Sequence, residues 1–200
     1  MTPFKRLIDI LSALFLGLVL SPLILWIALR VLIKDGRPIF FVSERMKTPQ
    51  KAFGLVKFRT MQTGSNDGMA TGGDKNGRVT DNGAVLRAKR LDELPQLWNL
   101  LLGHVSLVGP RPPLRRYVEQ HPEVYREVLK ARPGITGLAS LVYHRHEALL
   151  LERCATAEET DEIYARACVP RKAALDIIYR DNHNTCWDFV IMYQTVFGRR

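Results

Sequence analysis

The feature that most constrains the fold is a long apolar segment close to the N-terminus. Twenty consecutive residues, 10–29, carry no charge. As one straight helix this segment would be about 30 Å long, enough to cross the hydrocarbon core of a bilayer. A proline just past its middle, in the pair Ser21 and Pro22, removes a backbone donor and predicts a bend. The segment therefore predicts a membrane helix that is broken near its middle.

The charges flanking this segment favour a particular arrangement in the membrane. The flanking cations are Lys5, Arg6, Arg30, Lys34 and Arg37. Because cations prefer the cytoplasmic side, cations at both ends favour a helix that enters, bends at Ser21 and Pro22, and returns. Carbonyls freed at the bend are expected to be satisfied by the Ser21 hydroxyl or by water. A kinked helix that crosses once is the main alternative. A cleaved signal peptide is disfavoured, because the apolar core is too long and no A-x-A-like site follows.

The distribution of charge also points to a membrane. The 200-residue chain has a formal net charge of +9, and residues 1–60 hold ten Lys or Arg against three acids. A basic chain binds nucleic acid, lipid headgroups or a phosphorylated substrate. Because the excess lies beside the apolar segment, it favours a membrane surface over nucleic acid. The three cysteines lack C-x-x-C spacing, which argues against a disulfide scaffold and a Cys-rich zinc site.

Downstream of the apolar segment, the hydrophobic pattern predicts an α/β fold, mostly α with a small β element. Residues 39–42 and 53–58 are predicted strands. The glycine-rich stretch 64–83 is predicted to be a mobile loop, either a plain surface loop or a lid over a site. Helices are predicted from Asp92 to Gly103, with Leu94, Leu97, Trp98 and Leu101 on one face, and over 121–130, 147–167, 172–179 and 187–197. The last helix has the composition of an interfacial helix, although a core-facing helix explains it equally well.

The adjacent acids Asp92 and Glu93 are the most informative polar pair. They lie at a predicted helix start, where free backbone N–H groups can also bind a phosphate. Nearby in sequence are Arg87, Lys89 and Arg90, with Arg111 in the proline-rich loop 106–113. Attack on a phosphoanhydride requires such cations and a carboxylate that acts as nucleophile or holds Mg²⁺. The alternative is that the acids only complement the helix dipole.

The predicted strand 53–58 leads into a second candidate group. Lys57 and Arg59 alternate with Phe58, which places both cations on one face, where they bind phosphate or face solvent. The chain contains no G-x-G-x-x-G or P-loop pattern, so neither nucleotide cradle is supported. It also lacks the D-x-D tripeptide of many nucleotide-sugar glycosyltransferases and the G-x-S-x-G elbow of acyl hydrolases.

Five stretches taken together carry a family resemblance. They are KRLID (5–9) with the interrupted apolar helix, KFRTM (57–61), LDELPQLWN (91–99), SLVGPRP (106–112) and RPGITG (132–137). In this order they resemble the monotopic phosphoglycosyl transferases, bacterial sugar transferases that start glycan assembly on a polyprenol carrier. The segment after Gly137 departs from the family's common Trp-Ala-Gln-Val-Asn-Gly-Arg pattern. Sugar preference is therefore not inferred from that pattern.

The resemblance implies transfer of a sugar-1-phosphate from a UDP-sugar to a polyprenol phosphate such as undecaprenyl phosphate, with release of UMP and a requirement for Mg²⁺. It implies that Asp92 is the nucleophile and that Glu93 supports it, both being candidate metal ligands. The implied phosphate-binding residues are Lys57, Arg59, Arg87 and Arg111. Ser21 and Pro22 match the break that makes the membrane helix re-entrant.

The resemblance also implies an organisation and a location. Residues 1–36 would form a re-entrant membrane helix hairpin, and residues 37–200 a compact cytosolic catalytic domain with a C-terminal interfacial helix. The protein would lie at the cytoplasmic face of the bacterial inner membrane, without the multi-span N-terminal domain of longer members. Its partners would be the UDP-sugar, the polyprenol phosphate and phospholipid, with no nucleic acid. The sequence leaves open whether two copies form a homodimer.

Two other classes of function compete with the transferase. A membrane-bound nucleotide-sugar diphosphatase would use the same residues and release UMP without a lipid acceptor. A non-catalytic basic adaptor would bind nucleic acid or acidic lipid with a steep salt dependence. The adaptor leaves the combination of Asp92, Glu93 and Arg111 unexplained.

Overall fold

A computed structural model describes residues 2–62 and 79–198, and within these ranges the fold is mostly helical with two small sheets. This agrees with the predicted α/β class. The helices are α1 (Pro3–Val19), α2 (Ser21–Asp35), α3 (Asp81–Ala88), α4 (Gln96–Leu101), α5 (Arg115–Gln120), α6 (Pro122–Val128), α7 (Leu138–Leu151), α8 (Ala157–Ile163), α9 (Val169–Asn182) and α10 (Thr185–Phe197). The strands are β1 (Phe40–Thr48), β2 (Lys51–Phe58), β3 (Ser106–Val108) and β4 (Gly134–Thr136). A 3-10 turn, Leu91–Glu93, precedes α4, and a π-helix, Tyr164–Cys168, joins α8 to α9.

The apolar N-terminal segment forms two helices that meet at Leu20 with a bend of 63°. Within the described ranges neither helix alone has the length and apolarity to cross a bilayer, whereas the bent pair together has both. The Ser21 hydroxyl donates to the Leu18 carbonyl at 2.7 Å, which confirms the predicted local satisfaction of the break. Pro22 lies in the first turn of α2. Backbone N–H groups in a first turn have no partner within the helix, so the missing N–H of proline costs no helical hydrogen bond there. The helix therefore breaks just before the predicted pair.

The first turns of α1 are joined to the rest of the chain by charged side chains. The Arg6 guanidinium donates to the carbonyls of Leu100 at 2.8 Å and Leu101 at 2.7 Å, and so caps the C-terminal end of α4. Lys5 forms an ion pair with the buried carboxylate of Asp188 on α10. The N-terminal helix is thus docked at fixed points on α4 and α10.

A third contact joins α1 to the strand that leads to the proline-rich loop. Asp9 is 1% exposed, and its Oδ1 accepts hydrogen bonds from the Ser106 hydroxyl at 3.1 Å and the Leu107 amide at 3.0 Å. On the other side of this strand, the Tyr179 hydroxyl donates to the Val108 carbonyl at 3.1 Å. Strand β3 is consequently held from two directions.

The two N-terminal strands form an antiparallel hairpin, β1–β2. The prediction of a strand at 39–42 was too short, because β1 continues to Thr48 through a polar stretch. Asn99 of α4 is 1% exposed and anchors β2 to this helix. Its Oδ1 accepts from the Val56 amide at 2.9 Å, and its Nδ2 donates to the Gly54 carbonyl at 2.7 Å.

Strands β3 and β4 pair in parallel, an arrangement that the sequence pattern did not predict. The pairing depends on glycines that let two backbones approach closely. A Cβ on Gly134 would lie 2.1 Å from the Gly109 nitrogen, and a Cβ on Gly137 would lie 2.1 Å from the Gly109 oxygen. Larger residues at these positions would push the two segments apart.

The prediction of a loop over 64–83 is partly outside the described residues and partly wrong. Residues 64–78 are not described. The end of the stretch is not a loop, because Thr80 caps α3 by accepting from the Gly83 amide at 2.9 Å. A Cβ on Gly83 would lie 2.2 Å from the Thr60 carbonyl oxygen, so glycine permits this helix to pack against the end of β2.

The single amphipathic helix predicted from Asp92 is also corrected. A 3-10 turn ends at Glu93 and α4 begins only at Gln96, which changes the phase of the buried face. Trp98, predicted to face the core, is 57% exposed, whereas Leu100 is fully buried. The helical spacing identified the region but not the face.

The C-terminal helix α10 exposes much of its apolar surface. Ile191 is buried. The exposed apolar residues of this helix are Phe189, Val190, Tyr193, Val196 and Phe197. An ordinary core-facing helix would bury most of these side chains. The predicted amphipathic region 147–167 is divided among α7, α8 and the π-helix.

Replacing Asn99 with alanine is expected to destabilise the protein by about 2 kcal/mol, because two partly buried backbone groups of β2 lose their partners. Thermal unfolding in detergent, followed by circular dichroism, measures this change. Asn182→Ala is the matched control, since this exposed side chain only donates to the Ile178 carbonyl of its own helix. Equal unfolding midpoints for the two variants would contradict the role of Asn99.

Candidate active site

The acidic pair lies on the short 3-10 turn between α3 and α4. Arg90, immediately before the turn, has φ +53, a left-handed conformation that costs a residue with a side chain of order 1 kcal/mol. The left-handed residue lies between the end of α3 and the 3-10 turn, and the turn that carries Asp92 and Glu93 begins at the next residue. Backbone strain of this kind concentrates at functional sites.

Glu93 is the centre of an ion-pair network. Its Oε1 accepts from Lys57 Nζ at 2.7 Å and from Arg111 Nη2 at 3.3 Å, and Arg90 lies 3.9 Å from Oε2. Burial alone would raise the pKa of Glu93, but Arg111 and Lys57 outweigh it and hold the pKa at about 2. Glu93 is therefore ionised at every physiological pH and holds two cations from distant segments beside Asp92.

Asp92 has a different environment from its neighbour. It is 8% exposed, and it forms no ion pair within 4.0 Å in the part of the chain that the structure describes. Burial raises the pKa of Asp92, with a further increase from the Glu93 charge, while Lys57 and Arg87 oppose the shift. A desolvated carboxylate held near cations but not bonded to them is suited to attack a phosphorus atom.

Arg87 approaches the pair from the last turn of α3. Its Nε donates to the Thr60 hydroxyl at 2.8 Å, just after β2. Burial lowers the pKa of Arg87, and the charge of Asp92 opposes that change. Thr60 therefore orients a guanidinium toward the carboxylate that carries the candidate chemistry.

Arg111 enters from the loop that follows β3. Its side chain is 40% exposed, so the part of the guanidinium not bonded to Glu93 is open to a ligand. Behind it, Arg45 Nη1 donates to the Pro112 carbonyl at 3.4 Å, and the Met46 amide donates to the Pro113 carbonyl at 3.0 Å. Burial, then the charge of Arg111, lowers the pKa of Arg45 to about 10. The hairpin thus supports the loop that carries Arg111.

The structure brings together Lys57, Arg87, Asp92, Glu93 and Arg111, but it gives Arg59 a separate environment. Arg59 is 7% exposed, and its Nε donates to the Pro38 carbonyl at 2.7 Å. Its Nη2 donates to the carbonyls of Asp35 and Gly36, the second at 2.8 Å. The expectation that Lys57 and Arg59 act side by side is therefore corrected, because Arg59 fastens the end of α2 to the hairpin.

Sequence reasoning missed three residues that position the site: Arg45, Thr60 and Arg90. Thr60 lies inside the KFRTM stretch, but only the fold shows that it bonds Arg87. The sequence shows that Arg90 is a cation close to Asp92, but no pattern in it indicates the left-handed backbone of Arg90. Arg45 lies on a strand longer than predicted, which concealed its proximity to the proline-rich loop.

No three His, Cys, Asp or Glu side chains among residues 2–62 and 79–198 gather into a metal site. The oxygen donors at the acidic pair are the carboxylates of Asp92 and Glu93. Mg²⁺ is commonly held by one or two carboxylates together with substrate phosphates and water. The donor set at this site is thus compatible with an ion that arrives with a diphosphate, not with a site built from protein ligands alone.

Comparison with known proteins identifies the family of sequences that this chain resembles. The sequence model of a family described as bacterial sugar transferase matches residues 1–199. A UDP-glucose:undecaprenyl-phosphate glucose-1-phosphate transferase of Klebsiella pneumoniae is 38% identical over 171 residues, 82% of this chain and 36% of that protein. A UDP-N-acetylgalactosamine-undecaprenyl-phosphate N-acetylgalactosaminephosphotransferase of Aeromonas hydrophila is 38% identical over 145 residues, 70% of this chain and 34% of that protein.

A shorter relative matches over most of its own length. An uncharacterized sugar transferase of Bacillus subtilis (strain 168) is 35% identical over 192 residues, 96% of this chain and 85% of that protein. The chain spans about a third of the length of the Klebsiella and Aeromonas relatives. The similarity to those two proteins therefore concerns the part of each that this chain matches.

Proposed function

The chain belongs to the bacterial sugar transferase family, and we propose that it moves a sugar-1-phosphate from a UDP-sugar to undecaprenyl phosphate and releases UMP. The names of the Klebsiella and Aeromonas relatives support this reaction class, since each specifies a UDP-sugar and undecaprenyl phosphate. The observation that carries the proposal is the buried Asp92 carboxylate beside a network of cations centred on Glu93.

In the first step, an Asp92 carboxylate oxygen attacks the β-phosphorus of the UDP-sugar. The bond from that phosphorus to the oxygen bridging the two phosphates breaks, and UMP leaves with the bridging oxygen and its electron pair. Arg87 and Arg111 compensate the negative charge on the diphosphate, while Lys57 and Glu93 hold each other in place. The product is an aspartyl phosphosugar on the enzyme.

In the second step, an oxygen of undecaprenyl phosphate attacks the same phosphorus. The bond between Asp92 and phosphorus breaks, and the carboxylate is regenerated. Dividing the reaction lets a water-soluble donor and a lipid acceptor use one site in turn. The kinetics are accordingly ping-pong, with UMP released before the acceptor is consumed.

Mg²⁺ is part of this proposal. The carboxylates of Asp92 and Glu93 would hold it together with the diphosphate of the donor. When bound, the ion would neutralise phosphate charge and favour departure of UMP.

The bent helix pair is proposed to be re-entrant in the cytoplasmic leaflet of the bacterial inner membrane. At 1.5 Å per residue, α1 and α2 are about 25 Å and 22 Å long. With a bend of 63° and both outer ends at the surface, the break lies about 12 Å deep, within the roughly 15 Å of half a hydrocarbon core. Both cationic flanks then lie on the cytoplasmic side.

Cysteine labelling is expected to place both ends of the pair on the cytoplasmic side. Cys154 and Cys168 are buried, so replacing the exposed Cys186 with serine leaves a suitable background. Thr2→Cys and Lys34→Cys then report the two ends, and both should react with a membrane-impermeant maleimide only in permeabilised cells. Reaction of either cysteine in intact cells would indicate a helix that crosses the membrane.

Turnover is expected to fall at acidic pH, because Asp92 attacks only when ionised. Burial raises the pKa of Asp92 above its usual range, so activity is lost as the pH falls through that raised value. Arg87 opposes this increase, and Arg87→Gln should move the acid limb of kcat/KM to higher pH. Arg126→Gln, at an exposed position on α6, is the control. An identical acid limb in Arg87→Gln and wild type would contradict the coupling.

The function is tested by measuring UMP release from a panel of UDP-sugars with Mg²⁺, in the presence and absence of undecaprenyl phosphate. The proposal predicts sustained release only with the lipid acceptor, and the active donor identifies the sugar. Equal sustained release without the acceptor would instead identify a diphosphatase. No release from any donor would favour a non-catalytic membrane protein.

A further inference from the structure

Four cations from separate segments gather at the C-terminal end of α4, away from the acidic pair. We call this group the rim cluster; it consists of Arg6, Lys47, Lys51 and Arg132. Arg6 is on α1, and Arg132 directly precedes β4. Lys47 and Lys51 lie at the turn of the β1–β2 hairpin. Lys51 and Lys57 are six residues apart on β2, about 20 Å along the strand. Lys51 of the rim cluster therefore lies far along the strand from Lys57, the partner of Glu93.

Gly103 brings the two arginines of the cluster together. This glycine has φ +71 and ends the turn after α4. A Cβ at this position would lie 3.1 Å from Arg6 Cζ and 3.2 Å from Arg132 Nη1. The two guanidinium groups therefore approach within about 6 Å of each other. Any larger side chain in place of Gly103 would occupy the space between them and α4.

Contacts of His104 bring the hairpin turn to the same place. The rings of Phe53 and His104 are 5.3 Å apart, and His104 Nδ1 lies 3.3 Å from Asn99 Nδ2. Burial lowers the pKa of Lys47, and the charges of Arg132, Arg6 and Lys51 lower it further. The four like charges thus act on one another.

The rim cluster carries an excess of positive charge within the described ranges. None of its members forms an ion pair within 4.0 Å there. Asp9 acts on Arg132 electrostatically, but its Oδ1 is already bonded to Ser106 and Leu107. Arg6 donates only to backbone carbonyls. Four like charges that outnumber the acids near them, and that form no ion pair, make a site for an anion.

The neighbours of the cluster indicate the source of that anion. Leu102, directly before Gly103, is 50% exposed, and Trp98 on α4 is 57% exposed. Leu7, next to Arg6, is 51% exposed. Cations beside exposed aliphatic and aromatic side chains are typical of the headgroup level of a membrane. A site for a soluble anion does not require this apolar border.

We propose that the rim cluster binds the phosphate of an anionic phospholipid headgroup, which fixes the orientation of the protein on the membrane. The inference rests on the proposed membrane location of α1 but not on the transfer reaction. The bound lipid is neither donor nor acceptor, because the ion-pair partners of Glu93 are Lys57, Arg90 and Arg111, none of which belongs to the rim cluster. Its contribution is to anchor the hairpin turn and the segment before β4 at the membrane surface.

Isothermal titration calorimetry of the full chain in a non-ionic detergent tests the proposal without any UDP-sugar or acceptor. The probe is dioctanoyl phosphatidylglycerol. Each cation near the site is expected to contribute about a fivefold factor, so the double variant Lys47→Gln, Arg132→Gln should raise Kd by about 25-fold. Arg6 is left unchanged because it caps α4. The control is the double variant Arg126→Gln, Arg166→Gln, which removes the same charge from exposed sites.

Three outcomes would overturn the assignment: equal Kd values for the two double variants, equal binding of dioctanoyl phosphatidylcholine, or equally tight binding of inorganic phosphate. The last would indicate a site for a soluble anion. If the double variant does not fold, Lys51→Gln at the exposed turn replaces it, with an expected fivefold effect. UMP release is measured separately on the same preparations, so failure of lipid binding and failure of the transferase reaction are distinguishable.

Discussion

Replacing Asp92 with asparagine is expected to reduce acceptor-dependent UMP release by at least about a thousandfold, because the amide cannot act as the nucleophile. The substitution keeps the size of the side chain and removes a negative charge. Burial raises the pKa of Asp92, so the folded protein already disfavours that charge. The folded protein should therefore be no less stable than wild type. Loss of activity without loss of stability separates a chemical role from a structural one.

The same variant has a second readout. Wild-type protein incubated with its UDP-sugar and without acceptor should gain the mass of one sugar phosphate, and Asp92→Asn should not. Asp81→Asn is the matched control, since Asp81 is an exposed acid in the first turn of α3. Near wild-type turnover by Asp92→Asn would show that the nucleophile is another group.

Replacing Glu93 with glutamine is expected to lower kcat/KM by about a hundredfold, a typical effect of losing a preorganised charged contact. Glu93 is the shared partner of Lys57 and Arg111, which come from β2 and from the loop after β3. Without the carboxylate, the partly buried Lys57 loses its partner and Arg111 loses its fixed position. The unfolding midpoint should fall as well.

The control for Glu93 is Glu44→Gln. Glu44 also pairs with an arginine, at 2.8 Å from Arg115 Nε, but both side chains are largely exposed. Pairs of this kind contribute little to stability, so Glu44→Gln should resemble wild type in both activity and unfolding. Equal kcat/KM and equal unfolding midpoints for the two glutamine variants would mean that Glu93 contributes no more to activity or stability than an exposed ion pair does.

Local signals in the sequence were sufficient for the parts of the fold that depend on neighbouring residues. The bend near Ser21 follows from a proline in an apolar helix. The Ser21 hydroxyl satisfies the carbonyl of Leu18, three residues earlier. Arg87 and Arg90 were predicted to lie near Asp92 in the same way, because both are within five residues of it in the sequence. Such features need no knowledge of distant contacts.

The features that sequence reasoning missed depend on contacts between distant segments. Arg59 alternates correctly with Lys57, yet the carbonyls that bind it come from the end of α2 and from Pro38. Trp98 has the correct helical spacing, but the turn at Leu91–Glu93 rotates α4 away from the predicted phase. The parallel pairing of β3 and β4 joins segments whose glycines become informative only when the backbones meet.

The most direct test of the account follows two labels from donor to acceptor. A UDP-sugar with tritium in the sugar and radioactive phosphorus in its β-phosphate is incubated with the protein and undecaprenyl phosphate, and the lipid is extracted. Both labels are expected to enter the lipid in the ratio that they have in the donor. Tritium alone in the lipid would show transfer of the sugar without its phosphate. Both labels left in water, with UMP released, would show hydrolysis, and either result would contradict phosphosugar transfer.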